Sequence, residues 1–479
     1  MMDKKPFYIT TTIPYVNAEP HIGFALEILQ ADVLARYNRW KLGEENVFFS
    51  TGSDEHGQKI FEAAEKAEKD VKEYVDFYAA KFGELKEALD LSNDNFIRTT
   101  DPHHVKAAQE MWKRCEAAGD IYEKEFEGLY CVGCERYLTE RDMADGKCVI
   151  HGTEPELRKE KNWFFRLSKY QNEILGYLQD PAVIIPDWRR EEAINFVNEG
   201  LEDFSISREK SRLAWGVPVP GDDTQVMYVW FDALTNYIST LGWPDEGGNF
   251  EKFWKNGHTL QVAGKDQVRF QSIMWQGILL SAGIKHTDQV FYHGFVNSGG
   301  QKMSKSIGNV ISPFELVKKY GIDATRYLVL RHIHSTEDTD VTWEKLDEWY
   351  EAGLVNGLGN LVSRIMKLAE DYLEPVDTKK EIYPRLDYTK ELSKLDFANS
   401  MNLVWEDMKD IDYKIQLHKP FEIIKINVDE GKKLITQFVE RMYSVAIALR
   451  PFLPKTSEKI LLAIENNKKP ENLFPRINA

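Results

Sequence analysis

Phe7-Tyr8-Ile9-Thr10-Thr11-Thr12-Ile13, then Pro14-Tyr15-Val16-Asn17-Ala18-Glu19-Pro20 and His21, is the stretch that decides the fold. The first seven residues read as a buried strand and the next seven as a turn. His21 opens a helix, along which Leu26, Leu29, Val33 and Tyr37 recur on one face. The pattern then repeats. Asn46-Val47-Phe48-Phe49-Ser50 is a strand, Thr51-Gly52-Ser53-Asp54-Glu55-His56-Gly57 a loop, and a helix begins near Gln58. Strand–loop–helix alternation predicts a parallel sheet that binds ligands at the carboxyl ends of its strands.

The alternation stops near Gly119, and residues 120–223 are rich in turns and carry a cysteine cluster, as an inserted domain would. It resumes at Met227-Tyr228-Val229-Trp230 and runs through Leu260-Gln261-Val262-Ala263-Gly264-Lys265-Asp266 and Gln289-Val290-Phe291-Tyr292-His293. From about residue 350 the chain reads as helical. Leu354, Leu358, Leu361, Ile365 and Leu368 step by four, three, four and three, as in a helical bundle.

With 479 residues the chain has room for more than one core, and 43% hydrophobic with 29% charged residues excludes a disordered or fibrous chain. No run approaches a membrane span, the start has no signal-like apolar stretch, and four cysteines suggest a reducing compartment, so a cytoplasmic protein is expected. The net charge of −16 argues against a broadly basic nucleic-acid surface. From Asp410 onward, however, 12 Lys and Arg stand against 9 Asp and Glu, which permits a local RNA-facing region.

Cys131-Val132-Gly133-Cys134 and Cys148-Val149-Ile150-His151 form two knuckles with 13 residues between them. Four soft ligands at this spacing point to one closed structural zinc site, the alternative being buried thiols without metal. Cys115 lies outside the cluster and reads as core. His21 at a helix start would stabilise negative charge on a phosphate. Lys302 and Lys305 lie in a loop that follows Ser298-Gly299-Gly300-Gln301 and would follow a leaving pyrophosphate. A surface histidine and a solvated basic loop are the plainer readings of each motif alone. Their matching positions on one sheet favour a nucleotide site.

Asn17-Ala18-Glu19-Pro20-His21-Ile22-Gly23, Thr51 to Gly57, Tyr228-Val229-Trp230-Phe231-Asp232-Ala233-Leu234, Gly264-Lys265-Asp266, Lys302-Met303-Ser304-Lys305-Ser306 and the single knuckle together resemble the methionyl-tRNA synthetases, class I aminoacyl-tRNA synthetases. The resemblance is strong from Phe7 to about Arg364 and architectural beyond. It implies an α/β Rossmann-type parallel-sheet catalytic domain, interrupted by a zinc-bearing connective domain and followed by an all-α anticodon-binding bundle. The expected division is 1–118 and 224–298 for the two catalytic halves and 119–223 for the connective domain. Residues 299–352 would form the lysine loop and stem-contact region, and 353–479 the bundle.

The implied reaction joins L-methionine to ATP, with Mg²⁺ on the phosphates, and passes methionyl to the terminal adenosine of initiator and elongator tRNA(Met). His21, Lys302 and Lys305 would be catalytic, with Gly23 and Ser304 beside them on ATP and Gly264, Asp266, Phe295 and Val296 holding the adenosine. Asp54 would receive the methionine amino group and Arg208 would brace Asp54. Ile13, Tyr15, Trp230, Ala233, Leu234 and Tyr237 would line the thioether pocket, where aromatic walls suit a polarizable sulfur. Asn360 and Arg364, one turn apart, and Phe421 after Pro420 would meet the anticodon, an aromatic there stacking on a base.

Three residues depart from the family pattern. Phe24 stands for a second histidine, and losing such a donor typically costs about 3 kcal/mol of transition-state stabilisation. Gln267 replaces an isoleucine, and Gln271 replaces a histidine, from which it could still bond Tyr237. Methionine is the expected substrate. A synthetase for another small apolar amino acid and a catalytically inactive tRNA-binding paralogue are the alternatives. The gap between the catalytic motifs leaves little room for a large editing domain. No further C-terminal dimerisation domain follows in this sequence, so a monomer is expected.

Overall fold

β1 (Phe7–Thr11) is buried along its whole length, as its run of apolar residues and threonines requires. The computed structural model describes residues 5–245, 247–303, 308–375 and 386–477. The chain divides into two units, one of Met1–Pro20, Asn38–Glu84 and Asn93–Tyr292, the other of His21–Tyr37, Leu85–Ser92 and His293–Ala479. Among the described residues no helix is long and apolar enough to cross a membrane.

In the first unit, β1 joins β2 (Val47–Ser53), β3 (Asn95–Arg98), β4 (Ile184–Ile185), β5 (His258–Gly264) and β6 (Gln289–His293) in one sheet of order β3-β2-β1-β5-β6-β4. β1 pairs in parallel with β2 (Phe7 opposite Val47) and with β5 (Phe7 opposite His258). β2 pairs in parallel with β3, and β6 with β4. Strand order therefore reverses between β1 and β5, the position at which open α/β sheets gather ligands at their carboxyl ends. Ile13 and Tyr15 follow β1, Asp54 follows β2, and Asp266 follows β5. A parallel bridge locks two of these loops together. Asp54 N–H donates to the Pro14 carbonyl at 2.9 Å and Val16 N–H to the Asp54 carbonyl at 3.2 Å. The sheet packs into a core rich in large aromatics, including the fully buried Trp112, Trp254 and Trp275, each of which removes roughly 150–250 Å² from water.

The stretch read as an insertion is antiparallel. Ile121–Cys131 and Glu156–Phe165 form a long hairpin, extended by Arg136–Leu138 and Phe204–Ser205. Ser207–Glu209, Asp222–Met227 and Pro218–Val219 make a second small sheet. The stretch is not wholly separate, because β4 comes from it and pairs with β6.

The second unit holds most of α1 (Ile22–Leu42) together with the C-terminal helices. Val296–Ser298 pairs antiparallel with Gln301–Lys302 and parallel with Thr339–Asp340. α2 (Ile322–His332) carries the fully buried Arg326, whose guanidinium bonds Asp32 of α1 at 2.7 Å. The same group donates to the carbonyls of Leu89, Pro451 and Phe452. Burial alone would raise the Asp32 carboxyl, yet Arg326, Arg36 and Ser92 hold it below its ordinary value. Downstream, α3 (Asn360–Tyr372) continues a wide-turned helical segment, Glu351–Gly359. Leu354, Leu358, Leu361 and Ile365 are buried there and Leu368 half-buried, on the face its spacing predicts. α4 (Phe397–His418), α5 (Pro420–Ile426), α6 (Val428–Leu449) and α7 (Pro454–Glu465) complete the bundle.

Candidate functional site

In the first unit the short helix Val229–Leu234 presents Trp230, Ala233 and Leu234 at helical spacing, and Tyr237 follows on the next turn. Tyr15 meets Trp230 edge-on with ring centroids 6.1 Å apart, and Trp230 stacks on Phe270 at 3.7 Å. Phe270 opens a wide helical turn, Phe270–Met274, of a kind often found at functional sites. That turn carries Gln271, whose amide donates to the Tyr237 hydroxyl, the bond its side chain was expected to be able to make. Tyr8 holds the Tyr237 carbonyl at 2.7 Å. Gln267 instead donates to its neighbour Asp266 at 3.1 Å. Ile13 is half-buried in the loop after β1.

Asp54 is buried beside these rings and is backed by further acids. Burial, then the charges of Asp232 and Glu135, hold its carboxyl well above the usual carboxylate range. Among the described residues no ion pair forms at Asp54. A buried carboxylate in this state is stabilised by an incoming cation, such as a primary ammonium. Arg208 does not brace it in this structure. Its guanidinium donates to Ser205 Oγ at 2.9 Å and to the carbonyls of Ser207 and Glu135 at 2.7 and 3.4 Å. It lies over the rings of Tyr130, Tyr137 and Tyr228 at 4.6–5.5 Å, a cation–π cage that accounts for its orientation.

Two residues here were not singled out in the sequence. Asp232 bonds His56 Nδ1 at 2.6 Å and His104 Nε2 at 2.8 Å, and His104 Nδ1 lies 2.8 Å from Ser239 Oγ. This ties the Asp54 loop to the Trp230 helix. Burial opposes the Asp232 charge, but the two imidazoles outweigh it and lower its pKa. Glu135 accepts the Tyr15 hydroxyl at 3.1 Å. Their local signal was one acid inside the Tyr228–Leu234 motif and one directly after the second cysteine.

Cys131, Cys134, Cys148 and His151 converge, with one donor atom from each within 4.8 Å of the others. Cys134 Sγ lies 3.5 Å from Cys148 Sγ and 3.2 Å from His151 Nδ1. Ligands around a tetrahedral zinc stand about 3.5–3.8 Å apart, given bonds of about 2.0–2.3 Å, so this donor set fits a structural metal. Gly133 leaves room for the His151 ring, which its Cβ would meet at 2.7 Å. Cys115 is core, its thiol pushed up to about 12, chiefly by burial.

In the second unit His21 sits at the start of α1, exposed, with its Nδ1 accepting the Gly23 N–H at 3.0 Å. That bond assigns the proton of the neutral ring to Nε2. Ile22 N–H donates to the Ile311 carbonyl at 2.9 Å, which brings the chain just beyond the lysine loop to the helix start. Ser304 and Lys305 lie outside the described residues, and of Lys302 the backbone alone is described. The neck of that loop is pinned, with Asn309 Nδ2 donating to the Ser298 carbonyl at 3.2 Å and Gly300 N–H to Asp340 at 2.6 Å. Phe24 is buried, so the fourth position of the signature packs the core of this unit.

Phe295 donates its N–H to Asp338 at 2.9 Å, and Val296 pairs with Thr339. Just before them, a Cβ on Gly294 would lie 2.2 Å from the Glu337 backbone, so only glycine fits. The buried His293 bonds Glu27 of α1 at 2.9 Å, another link that no local pattern revealed. In the first unit Gly264 is buried at the end of β5 and Asp266 is exposed.

Asn360, Arg364 and Phe421 are exposed and share one open depression of about 980 Å³ in the second unit, with Tyr413 and Gln416 on its wall. Arg364 pairs there with Asp412.

The family model described as "tRNA synthetases class I (M)" matches residues 7–144 and 141–366. The methionine–tRNA ligase of Thermotoga maritima is 38% identical, over 97% of this chain and 76% of its own length. That of Mesorhizobium japonicum is 35% identical, over 99% of this chain and 98% of its own length. Among solved structures, Mycobacterium tuberculosis methionyl-tRNA synthetase in complex with methionyl-adenylate superposes with a TM-score of 0.88 at 34% identity, covering 95% of this chain and 93% of that one. The apo form of the same protein gives 0.83 at 30% identity, covering 99% of each chain. With the parallel sheet, the knuckle and the helical bundle in place, these matches establish that the chain belongs to the methionyl-tRNA synthetase family of class I aminoacyl-tRNA synthetases.

Proposed function

We propose that this protein activates methionine with ATP, forming methionyl-adenylate and pyrophosphate, and then transfers the methionyl group to the 3′-terminal adenosine of tRNA(Met), initiator included. One observation carries the choice of substrate. A buried acid with no ion pair among the described residues, Asp54, stands by a wall of Tyr15 and Trp230, with the Tyr237 hydroxyl bonded to Gln271. An α-ammonium would satisfy the acid, and an unbranched thioether suits polarizable aromatic faces. Ile13, Ala233 and Leu234 would complete the apolar lining. Arg208 would orient the wall from behind through Ser205, Ser207 and Glu135.

The methionine carboxylate is itself the nucleophile at the α-phosphorus, so no general base is required. The new P–O bond forms as the bond to pyrophosphate breaks in line, and catalysis rests on positioning and charge stabilisation. His21 would donate from Nε2–H toward the α-phosphate, aided by the positive end of α1. Lys302 and Lys305, with Ser304, would accompany the pyrophosphate. Gly23 has no side chain to crowd the His21 ring, which a Cβ would meet at 2.8 Å. Phe295, Val296, Gly264 and Asp266 keep the expected role of contacting the adenosine. Mg²⁺ bound with ATP would supply charge neutralisation on the phosphates.

In the second step a ribose hydroxyl of the terminal adenosine attacks the acyl carbon, and AMP leaves. Asn360, Arg364 and Phe421 would read the anticodon of that tRNA, Phe421 by stacking. One zinc ion would be held by Cys131, Cys134, Cys148 and His151, where it organises the hairpin and takes no part in the reaction. The five-part division of the chain, a monomeric state and a cytoplasmic location complete the proposal.

The test is exchange of radiolabelled pyrophosphate into ATP across the twenty amino acids. Exchange driven by methionine alone, followed by charging of tRNA(Met), is the expected result. Exchange driven by another amino acid, or by none, refutes the proposal.

A further inference from the structure

Glu135 follows Cys134 directly, yet both oxygens of its carboxylate bond outside the metal knuckle. One accepts the Tyr15 hydroxyl at 3.1 Å, and the other accepts the Lys59 backbone N–H, five residues beyond Asp54. The residue is 1% exposed and adopts a left-handed backbone, φ 52°. Its own carbonyl accepts Arg208 Nη2 at 3.4 Å. Gly57, in the Asp54 loop, makes space for it, since a Cβ there would lie 2.5 Å from the carboxylate. The side chain thus joins the loop after β1 to the start of the helix after β2, and the backbone carbonyl of the same residue meets Arg208. A carboxylate used only to fold the knuckle would bond within the knuckle.

We propose that Glu135 is a positioning residue for the amino acid, acting through Tyr15 and the Asp54 loop, so that the knuckle sets the shape of the methionine pocket. This rests on the functional reading above. Glu135 does not enter the reaction. It holds the Tyr15 ring against Trp230 and fixes where the Asp54 carboxylate stands when the substrate arrives.

The test uses the full chain as wild type, Glu135→Ala, Glu135→Gln, Tyr15→Phe and the double variant Tyr15→Phe/Glu135→Ala. Pyrophosphate exchange is measured as a function of methionine and of ATP, with metal content determined for each protein. Loss of a buried hydrogen bond to a charged acceptor predicts a methionine KM about 10- to 150-fold higher in Glu135→Ala. The ATP KM should stay within about two-fold and the metal content should not change. Glu135→Gln keeps an oxygen for the Lys59 N–H and should recover most of the loss. Because Glu135 is argued to act through Tyr15, the double variant should cost less than the two single changes combined.

A methionine KM that stays near wild type in Glu135→Ala overturns the inference. So does an equal rise in both KM values, and so does loss of metal in Glu135→Gln, either of which marks a purely structural role. Should Glu135→Ala fail to fold, Tyr15→Phe decides, since it must raise the methionine KM selectively, while Glu135→Gln must keep both the wild-type metal content and most of the wild-type methionine KM. A wild-type protein that gives no methionine-dependent exchange removes the functional reading underneath. A wild type that exchanges normally beside unaffected variants removes the Glu135 inference alone.

Discussion

Replacing Asp54 by Asn should move stability and substrate binding in opposite directions. In the empty protein the Asp54 carboxyl is held well above its ordinary range, first by burial and then by Asp232 and Glu135. A raised carboxyl pKa in the fold means that the folded state binds more protons than the unfolded state above the unfolded value. Stability therefore falls as pH rises from that value through the folded one, and the ionised form of Asp54 is a burden to the empty fold. Removing the charge while keeping the shape should relieve a penalty of the size of one unsatisfied buried group, about 1–3 kcal/mol. The substrate sees the reverse. Truncating one partner of a buried, hydrogen-bonded charge pair costs about 2–5 kcal/mol, so methionine binding should weaken by roughly 30- to several thousand-fold. Thermal unfolding at pH 7 with and without methionine, beside the same scans at pH 5, checks the first half. The gain in melting temperature of Asp54→Asn should be larger at the higher pH, because above the ordinary carboxylate value the folded wild type binds more protons than its unfolded chain. The methionine dependence of pyrophosphate exchange checks the second half. A variant that is less stable when empty, or that binds methionine like the wild type, refutes the reasoning.

Three further outcomes follow from the geometry. Arg326→Met removes one of the two guanidinium partners of the buried Asp32, leaving Arg36, and takes the donor from three buried carbonyls, so it should destabilise the second unit by about 1–3 kcal/mol in urea unfolding, whereas an unchanged stability would contradict the burial of that pair. Phe421→Ala removes an exposed ring from the Asn360–Arg364 depression and should weaken tRNA(Met) binding by about 1–3 kcal/mol in filter binding, an unchanged affinity excluding it as a stacking platform. Gly294→Ala pushes a methyl group into the Glu337 backbone and should destabilise the protein while raising the KM for ATP. A fully active, equally stable variant would show that the Phe295–Val296 turn does not set the adenosine position.

What was legible in the sequence was local or metal-bound. β1, its turn and α1 lie consecutively, and each announces itself by period and by turn residues, so their succession could be read directly. The four ligands were legible because two short spacings define a tetrahedral donor set. The Gln271–Tyr237 bond could be anticipated only through the family resemblance, in which Gln271 takes the place of a histidine. The rest depends on contacts between distant segments. Arg208 was expected against Asp54, but the aromatic cage of Tyr130, Tyr137 and Tyr228 assembles from three separate strands or their ends, and no local pattern reports it. The His56–Asp232–His104 relay and the reach of Glu135 to Tyr15 likewise join residues more than a hundred positions apart. Helical periodicity in α1 identified a buried face without revealing that most of this helix groups with the C-terminal half of the chain.

That grouping has a consequence for modular engineering. Arg326 spans Asp32 near the N-terminus, Leu89, and the carbonyls of Pro451 and Phe452 near the far end of the chain. A truncation placed after the bundle's first helices, or a graft of another protein's bundle, would strip two acceptors from an enclosed guanidinium and leave it the Leu89 carbonyl and the Asp32 carboxylate. Shortened versions built to isolate the adenylating half should therefore keep the Pro451–Phe452 turn, or replace Arg326 and Asp32 together with apolar residues of similar volume.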